Sequence, residues 1–367
     1  MKWMKNFILD LKRIKFYDST NKITTGLRFN FKLIKLNDKF SHFNVLSLIK
    51  YYRRSTKKLF FFDYENTLQA MNENICNEPN HSKEEKLELL KPDKRLIKLM
   101  KILSEEKGNQ VYILSKYETD YLSEYFGKIP NIGLCCENGF YYKHPDDKEF
   151  NNLVEVKDWS WKDTVIKILK TFTEKTEGSF IIEKKSSLIW NYNHSDETFG
   201  PLQADEIKTH ITSIFNSKIL EITSNDGILE IKPKNVNKGY FVAKILQEQF
   251  KEQNIDLIVA VGDDLSDENM FNYFRSAEKY FRNFNTKIKT FTATINKKPS
   301  NAKYFFNDIN DLIETLDALS HQNFVKEFKK DEEEIKAEVN RSYRKKLSVN
   351  LNHTMFKFRA DKKFKGE

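Results

Sequence analysis

The stretch KKLFFFDYENTLQAM, residues 57–71, decides how the rest of the chain is read. Leu59 to Phe62 is a short apolar run with the length of a buried strand. A carboxylate, Asp63, follows at once, with Glu65 and Thr67 at the next alternate positions. In an open α/β sheet, ligands bind at the carboxyl ends of the strands. A carboxylate placed there can act as a nucleophile and form an aspartyl-phosphate. Taken alone, the stretch reads equally well as a buried strand ending in a polar loop, so its neighbours have to decide.

Downstream, Pro92 opens a helix that places Leu96, Leu99, Met100 and Leu103 on one face, and Gly108 ends it. Residues 111–114 form a second apolar run ending at Ser115. A helix follows up to Gly127, then a third short strand at 133–136 ending in Glu137, Asn138 and Gly139. Strand, helix, strand, helix, strand, with polar residues just past each strand, is a doubly wound α/β pattern. The middle of the chain changes character. A helix at 161–172, strands at 180–183 and 188–192, a helix at 201–215 and a strand at 219–223 suggest a smaller α+β insertion, or cap. After a further strand at 228–231, Lys238 and Gly239 lead into a helix. The apolar run 257–261 then ends in GDDLSDE, with four acids among Asp263, Asp264, Asp267 and Glu268. A helix N-terminus favours the last two. The doubled Asp263–Asp264 asks for a cation, and Mg²⁺ prefers carboxylate oxygen.

Composition narrows the class. The 367 residues are 39% hydrophobic and 14% aromatic, enough for a substantial core in two domains or one extended domain. No apolar run reaches the length of about 18 residues that a membrane helix needs. The N-terminus, MKWMKNFILDLKR, does not have the pattern of a signal peptide. The three cysteines, Cys76, Cys135 and Cys136, offer neither a disulfide framework nor zinc spacing, which fits a reducing, cytoplasmic setting. The net charge of +9 is unevenly placed. Residues 1–58 carry fifteen Lys/Arg against three acids and residues 341–367 nine against two, leaving 59–340 at about −10. A nucleic-acid binder puts its positive charge on the working domain; here that domain is acidic. Residues 3–14 read as an amphipathic helix, 27–33 as a one-faced strand and 43–52 as a helix. Their apolar faces require something to pack on, either the following domain or a partner. A charged helix is expected at 323–346.

The pieces together form a kit for phosphoryl transfer: a nucleophile (Asp63), acids for Mg²⁺ (Asp63, Asp263, Asp264, Asp267), a donor (Ser115) and a cation (Lys238). In order, they match the four motifs of the haloacid dehalogenase superfamily. More closely, the chain resembles the trehalose-6-phosphate phosphatases. LFFFDYENTL is similar to their DYDGTL, LCCENGFYYK to LAAEHG, and IIEKKSSLIWNYNHSDETFG to their cap motif. ILEIKPKNVNKG is similar to VEVRPxGVNKG, and VAVGDDLSDENMF to xGDDxTDExMF. The resemblance runs from residue 57 to about 319. The segment before it resembles the end of the synthase part in fused synthase–phosphatase proteins.

This resemblance implies a Rossmannoid core at 57–142 and 227–320, an α+β cap at 143–226, a basic junction at 1–56 and a charged tail at 321–367. It implies Asp63 as nucleophile and metal ligand, and Glu65 as general acid/base with its backbone carbonyl on the metal. Ser115 and Lys238 would hold the phosphoryl group, and Asp263, with Asp264 or Asp267, would complete the Mg²⁺ site. Glu137, Asn138, Gly139, Glu183, Lys185 and Glu230 would face the sugar. The implied reaction is hydrolysis of trehalose 6-phosphate, with a trehalose-6-phosphate synthase as a partner. The chain departs from the family pattern at several points: Glu65 for Asp, Asn66 for Gly, Lys116-Tyr117 for Gly-Arg, Asn138 for His, and Asn191 and Asn193 for the cap His and Arg. A misplacement of about an ångström in a proton donor can cost about a hundredfold in rate. The alternative is therefore a pseudophosphatase that binds a sugar phosphate or a synthase without turnover.

Overall fold

The computed structural model describes residues 40–71, 81–215, 219–225, 227–252, 255–283 and 288–324. The helix expected at 3–14, the strand at 27–33, Cys76 and all but the start of the helix at 323–346 lie outside these residues. Met1–Leu316 make one compact unit and Asp317–Glu367 a second, and the sheets and site belong to the first.

Continuous apolar strands belong in a parallel sheet covered on both faces, and that is where these runs lie. β2 (Lys58–Asp63), β3 (Asn109–Leu114), β4 (Ile132–Cys136), β11 (Leu257–Gly262), β12 (Lys289–Ile295) and β13 (Tyr304–Phe306) are joined in parallel. With β1 (Ser41–His42), β5 (Tyr141–Lys143) and β6 (Asn151–Asn152) they make a nine-stranded sheet in the order β1-β13-β12-β11-β2-β3-β4-β5-β6. β2 and β11 are neighbours, with Val261 opposite Phe62. The chain winds from β2 through β3 and β4 to one side, while β11, β12 and β13 extend the sheet to the other. The crevice between β2 and β11 is thus the topological switch point, where such sheets bind ligands.

Side-chain alternation along β2 feeds both faces. Phe61 stacks on Tyr112 and meets Phe241 and Phe274, so that α7 (Lys238–Glu252) and α8 (Asp267–Asn283) cover one face. Phe60 turns the other way, toward Tyr52 of α1 (Val45–Arg54). The described part of the segment before β2, residues 40–57, packs on this sheet. His42 pairs with Phe305 in parallel register, the Phe43 ring stacks on Phe306 at 4.4 Å, and Asn109 donates to the Tyr52 hydroxyl at 2.8 Å. Ahead of Pro92, α2 (Lys83–Leu89) is opened by a Ser82/Glu85 capping box. α3 (Lys94–Glu105) buries Leu96, Leu99, Met100 and Leu103 as expected, and α4 (Thr119–Phe126) follows β3.

The middle of the chain forms a second, four-stranded antiparallel sheet in the order β7-β8-β10-β9. Its strands are β7 (Phe180–Glu183), β8 (Leu188–Asn191), β9 (Leu220–Asn225) and β10 (Ile228–Pro233). Trp161, Val165 and Leu169 of α5 (Ser160–Thr173) and Ala204, Ile207 and Ile211 of α6 (Phe199–Ile214) pack with Leu188, Trp190, Leu229 and Ile231 in a separate apolar cluster. An α/β fold with a central parallel sheet and an inserted α+β layer is the class that the sequence implies. α9 (Ile309–Phe324) follows β13 in the chain.

Candidate active site

Register brings the site together. Asp63 ends β2 opposite Leu114, so Ser115 starts just beyond it, and β11 delivers Asp263 alongside. Asp63 is 1% exposed. Its Oδ1 accepts from Lys238 Nζ at 2.6 Å and its Oδ2 from Thr67 Oγ1 at 3.0 Å. Lys238, the first residue of α7 and also 1% exposed, donates to Asp267 Oδ1 at 2.9 Å as well. The second oxygen of Asp267 accepts from the backbone N–H groups of Asp263 (3.1 Å) and Asp264 (3.2 Å). This fold-back needs Gly262, where a Cβ would stand 2.2 Å from Asp267 Cγ.

The electrostatics follow from counting charges. Burial, then Asp267, raises the Asp63 carboxyl well above its ordinary range, against the pull of Lys238. Burial also raises Asp267, and the surrounding carboxylates keep Lys238 protonated despite its burial. One ammonium among several carboxylates leaves an excess of negative charge that a further cation would relieve. Ligand oxygens of Asp63, Asp263 and Asp267 lie within 4.8 Å of one another, an all-carboxylate set suited to a hard divalent ion. Asp264 Oδ1 accepts from Ser266 N, Ser266 Oγ and Asp267 N at 2.8, 2.6 and 3.2 Å, capping α8. The Glu65 carboxylate faces Ser115 and the Lys116 N–H.

The Asn66 departure is accommodated. Its backbone adopts φ 55°, a left-handed conformation that Asn tolerates better than most residues, and its Oδ1 accepts from Met71 N at 2.8 Å. Asn138, in the turn after β4, is also left-handed (φ 56°), and Gly139 (φ 109°) approaches Asn237 too closely for a side chain. Glu137 accepts from Ser186 N at 2.8 Å and from Ser186 Oγ at 2.5 Å, joining this turn to the second sheet. Its Oε1, like Asn138 Oδ1, is buried with no partner among the described residues. Glu230 pairs with Lys232 at 2.9 Å; burial would raise its carboxyl, but Lys232 and Lys184 hold it below the ordinary value.

The structure does not bring Glu183 and Lys185 into this cluster. Glu183 is exposed and pairs with Lys162 at 3.2 Å, while Lys185 reaches Asp120 at 3.1 Å on α4. The lysine that enters is Lys184. It is buried, its ammonium donates to the Lys116 carbonyl at 2.9 Å, and burial lowers its pKa against Glu230 and Glu137. Lys184 lies in the turn that joins β7 to β8, outside the alternation of either strand, so no period in the sequence singles it out.

Comparison with known proteins agrees with this geometry. Residues 61–310 match the family model described as trehalose-phosphatase. A probable alpha,alpha-trehalose-phosphate synthase 7 from Arabidopsis thaliana is 29% identical over 328 residues, covering 89% of this chain and 37% of the relative. A trehalose-phosphatase of Zygosaccharomyces rouxii is 31% identical over 252 residues, covering 64% of this chain and 27% of the relative. The chain thus spans between 27% and 37% of the length of these curated relatives. Among solved structures, the C-terminal domain of C. albicans trehalose-6-phosphate phosphatase superposes with a TM-score of 0.65 at 28% identity, covering 77% of this chain and 99% of that one. The C-terminal domain of a Candida albicans trehalose synthase regulatory protein, at 18% identity and a TM-score of 0.58, shares the fold. With a family model spanning both sheets and the acids of both strand ends, the chain belongs to the trehalose-phosphatase family.

Proposed function

We propose that this chain hydrolyses trehalose 6-phosphate to trehalose and phosphate through Asp63. The observation that carries this reading is the Asp63 carboxylate, buried at the switch point and held by Lys238 and Thr67. In the first step an Asp63 oxygen attacks phosphorus, the bond from phosphorus to the sugar oxygen breaks, and that oxygen takes a proton from Glu65. In the second step water attacks the aspartyl-phosphate, gives its proton to Glu65 and releases phosphate, restoring Asp63. Ser115 and the Lys116 N–H cradle the phosphoryl oxygens and Lys238 offsets their charge. Asp63, Asp263 and Asp267 fit Mg²⁺, which would supply electrostatic stabilisation of the transferring group.

The unpartnered Glu137 Oε1 and Asn138 Oδ1, with Glu230 and Lys184, support a polar pocket for sugar hydroxyls. We read 57–152 and 234–320 as the core and 153–233 as a cap, with 1–56 as junction and 321–367 as tail; the expected boundaries at 142/143 and 226/227 shift because β6 pairs with β5 in the main sheet and β10 pairs with β8 and β9 in the second. The relatives named as synthases favour a trehalose-6-phosphate synthase as partner. The free, buried Cys135 and Cys136 fit a cytoplasmic setting. A second reading, a regulatory subunit that binds the sugar phosphate without turnover, is favoured by the contact of Glu65 with Ser115. Phosphate release from trehalose 6-phosphate with Mg²⁺, measured against Asp63→Asn, separates the two: release above that blank supports hydrolysis, while binding without release supports the second reading.

A further inference from the structure

The loop after β3 presents two donors, each with one hydrogen to give: Ser115 Oγ and the Lys116 backbone N. A single side chain takes both. Glu65 Oε1 accepts from Ser115 Oγ, and Oε2 accepts from Lys116 N at 3.3 Å. Ser115 Oγ itself accepts from Tyr117 N at 2.9 Å, so its hydrogen is committed to Glu65. Glu65 is 3% exposed, and its backbone is tied down on either side by Tyr64 N to Leu114 O (2.8 Å) and Asn66 N to Gln69 O (2.7 Å). Whether its carboxylate reaches both donors therefore depends on side-chain length. Aspartate, one methylene shorter, falls short by about an ångström of the span that two hydrogen bonds require.

We infer that Glu65 is a built-in competitor for the phosphoryl group: its carboxylate occupies the two-donor cradle as a pair of phosphoryl oxygens would, and an incoming phosphate must displace it. This rests on the reading of Ser115 and Lys116 as the phosphoryl cradle. It gives Glu65 a role distinct from a misplaced proton donor. A misplaced donor slows turnover and leaves anion affinity alone, whereas a competitor weakens anion affinity and its removal strengthens it. Two hydrogen bonds to a charged group are the interaction at stake, so the gain on removal is about ten- to a hundredfold.

The test is calorimetric titration of the full chain, in Mg²⁺, with inorganic phosphate. Glu65→Ala is expected to bind phosphate about ten- to a hundredfold more tightly than the native chain, and adding Ser115→Ala to it to remove that gain. Glu65→Gln, which keeps the volume and loses the charge, is expected to fall between them and serves if the alanine variant does not fold. Phosphate affinity in Glu65→Ala and Glu65→Gln that is equal to or below the native value, with Ser115→Ala still weakening it, overturns the competitor and leaves the cradle standing. Tighter binding that Ser115→Ala does not touch places the anion elsewhere, so that the cradle falls and the competitor with it.

Discussion

The two halves of the site are built to different states of readiness. On the β11 side, Asp63, Lys238 and Asp267 are locked together by short hydrogen bonds from residues on three separate elements. On the β3 side, the donors that would receive a phosphoryl group are already satisfied from within by Glu65. The first half is preorganised; the second is occupied. The fold tolerates this because the two halves share only the β2 strand end. One extra methylene at position 65 changes the anion site without touching the lysine cluster or the core beneath it. A family's scaffold and its turnover are thus set by separate residues, a few ångströms apart.

The largest expected effect strikes the preorganised half. Lys238→Met leaves Asp63 and Asp267 buried without their counter-charge, a loss of about 3–5 kcal/mol by the usual cost of breaking a buried pair. It should lower the urea midpoint strongly and remove phosphate release. An unchanged midpoint would show that the cluster is less tightly coupled than its distances indicate. Next is Glu65→Asp in the occupied half. It frees the cradle and restores the shorter proton donor together, so phosphate release should rise by up to about a hundredfold with little change in melting temperature. A fall in rate would mean that the longer acid is the one suited to this pocket.

Gly262→Ala comes third. Its new methyl would displace Asp267 from the Asp263 and Asp264 N–H groups, costing about 1–3 kcal/mol in stability as an overpacked site. The anion affinity of the β3 side should remain, which thermal melts and phosphate titration would check together. The smallest effect lies outside both halves. The hydrogen bond from His42 to Asp311 raises the His42 pKa above 6.5. Its stabilising contribution is therefore complete below about pH 6.5 and is lost as pH rises through the raised value. The contribution of this part-exposed pair is about 1 kcal/mol or less. The melting temperature should fall slightly from pH 6 to 8, less so in His42→Gln. A slope identical in the two chains would remove this pair from the account.

Much of this was legible in the sequence because strand ends and loop chemistry are local. The apolar runs ending in Asp63, Ser115 and Asp263 name their own strands, and parallel order then brings those ends together. Within the acid pair Asp263–Asp264, the carboxylate of Asp263 groups with Asp63 and Asp267, while Asp264 Oδ1 caps α8 and stands 3.9 Å from Lys238 Nζ, a division that the sequence does not show. Lys184 is not legible in the sequence because it lies in the turn between β7 and β8, and only the fold brings its ammonium to the Lys116 carbonyl. β1, two residues long, has no periodicity to detect, and only its pairing with β13 defines it. The direction of the Glu65 side chain is a rotamer choice set by Ser115, fifty residues away in the chain, and no pattern within residues 57–71 encodes it.

The most direct test of the central claim is phosphate release from trehalose 6-phosphate, with Mg²⁺, by the native chain and by Glu65→Asp, each against Asp63→Asn. The expected result is slow release by the native chain, faster release by Glu65→Asp and none from the Asp63→Asn blank. Release by neither chain above that blank, from proteins that melt cooperatively, would contradict it.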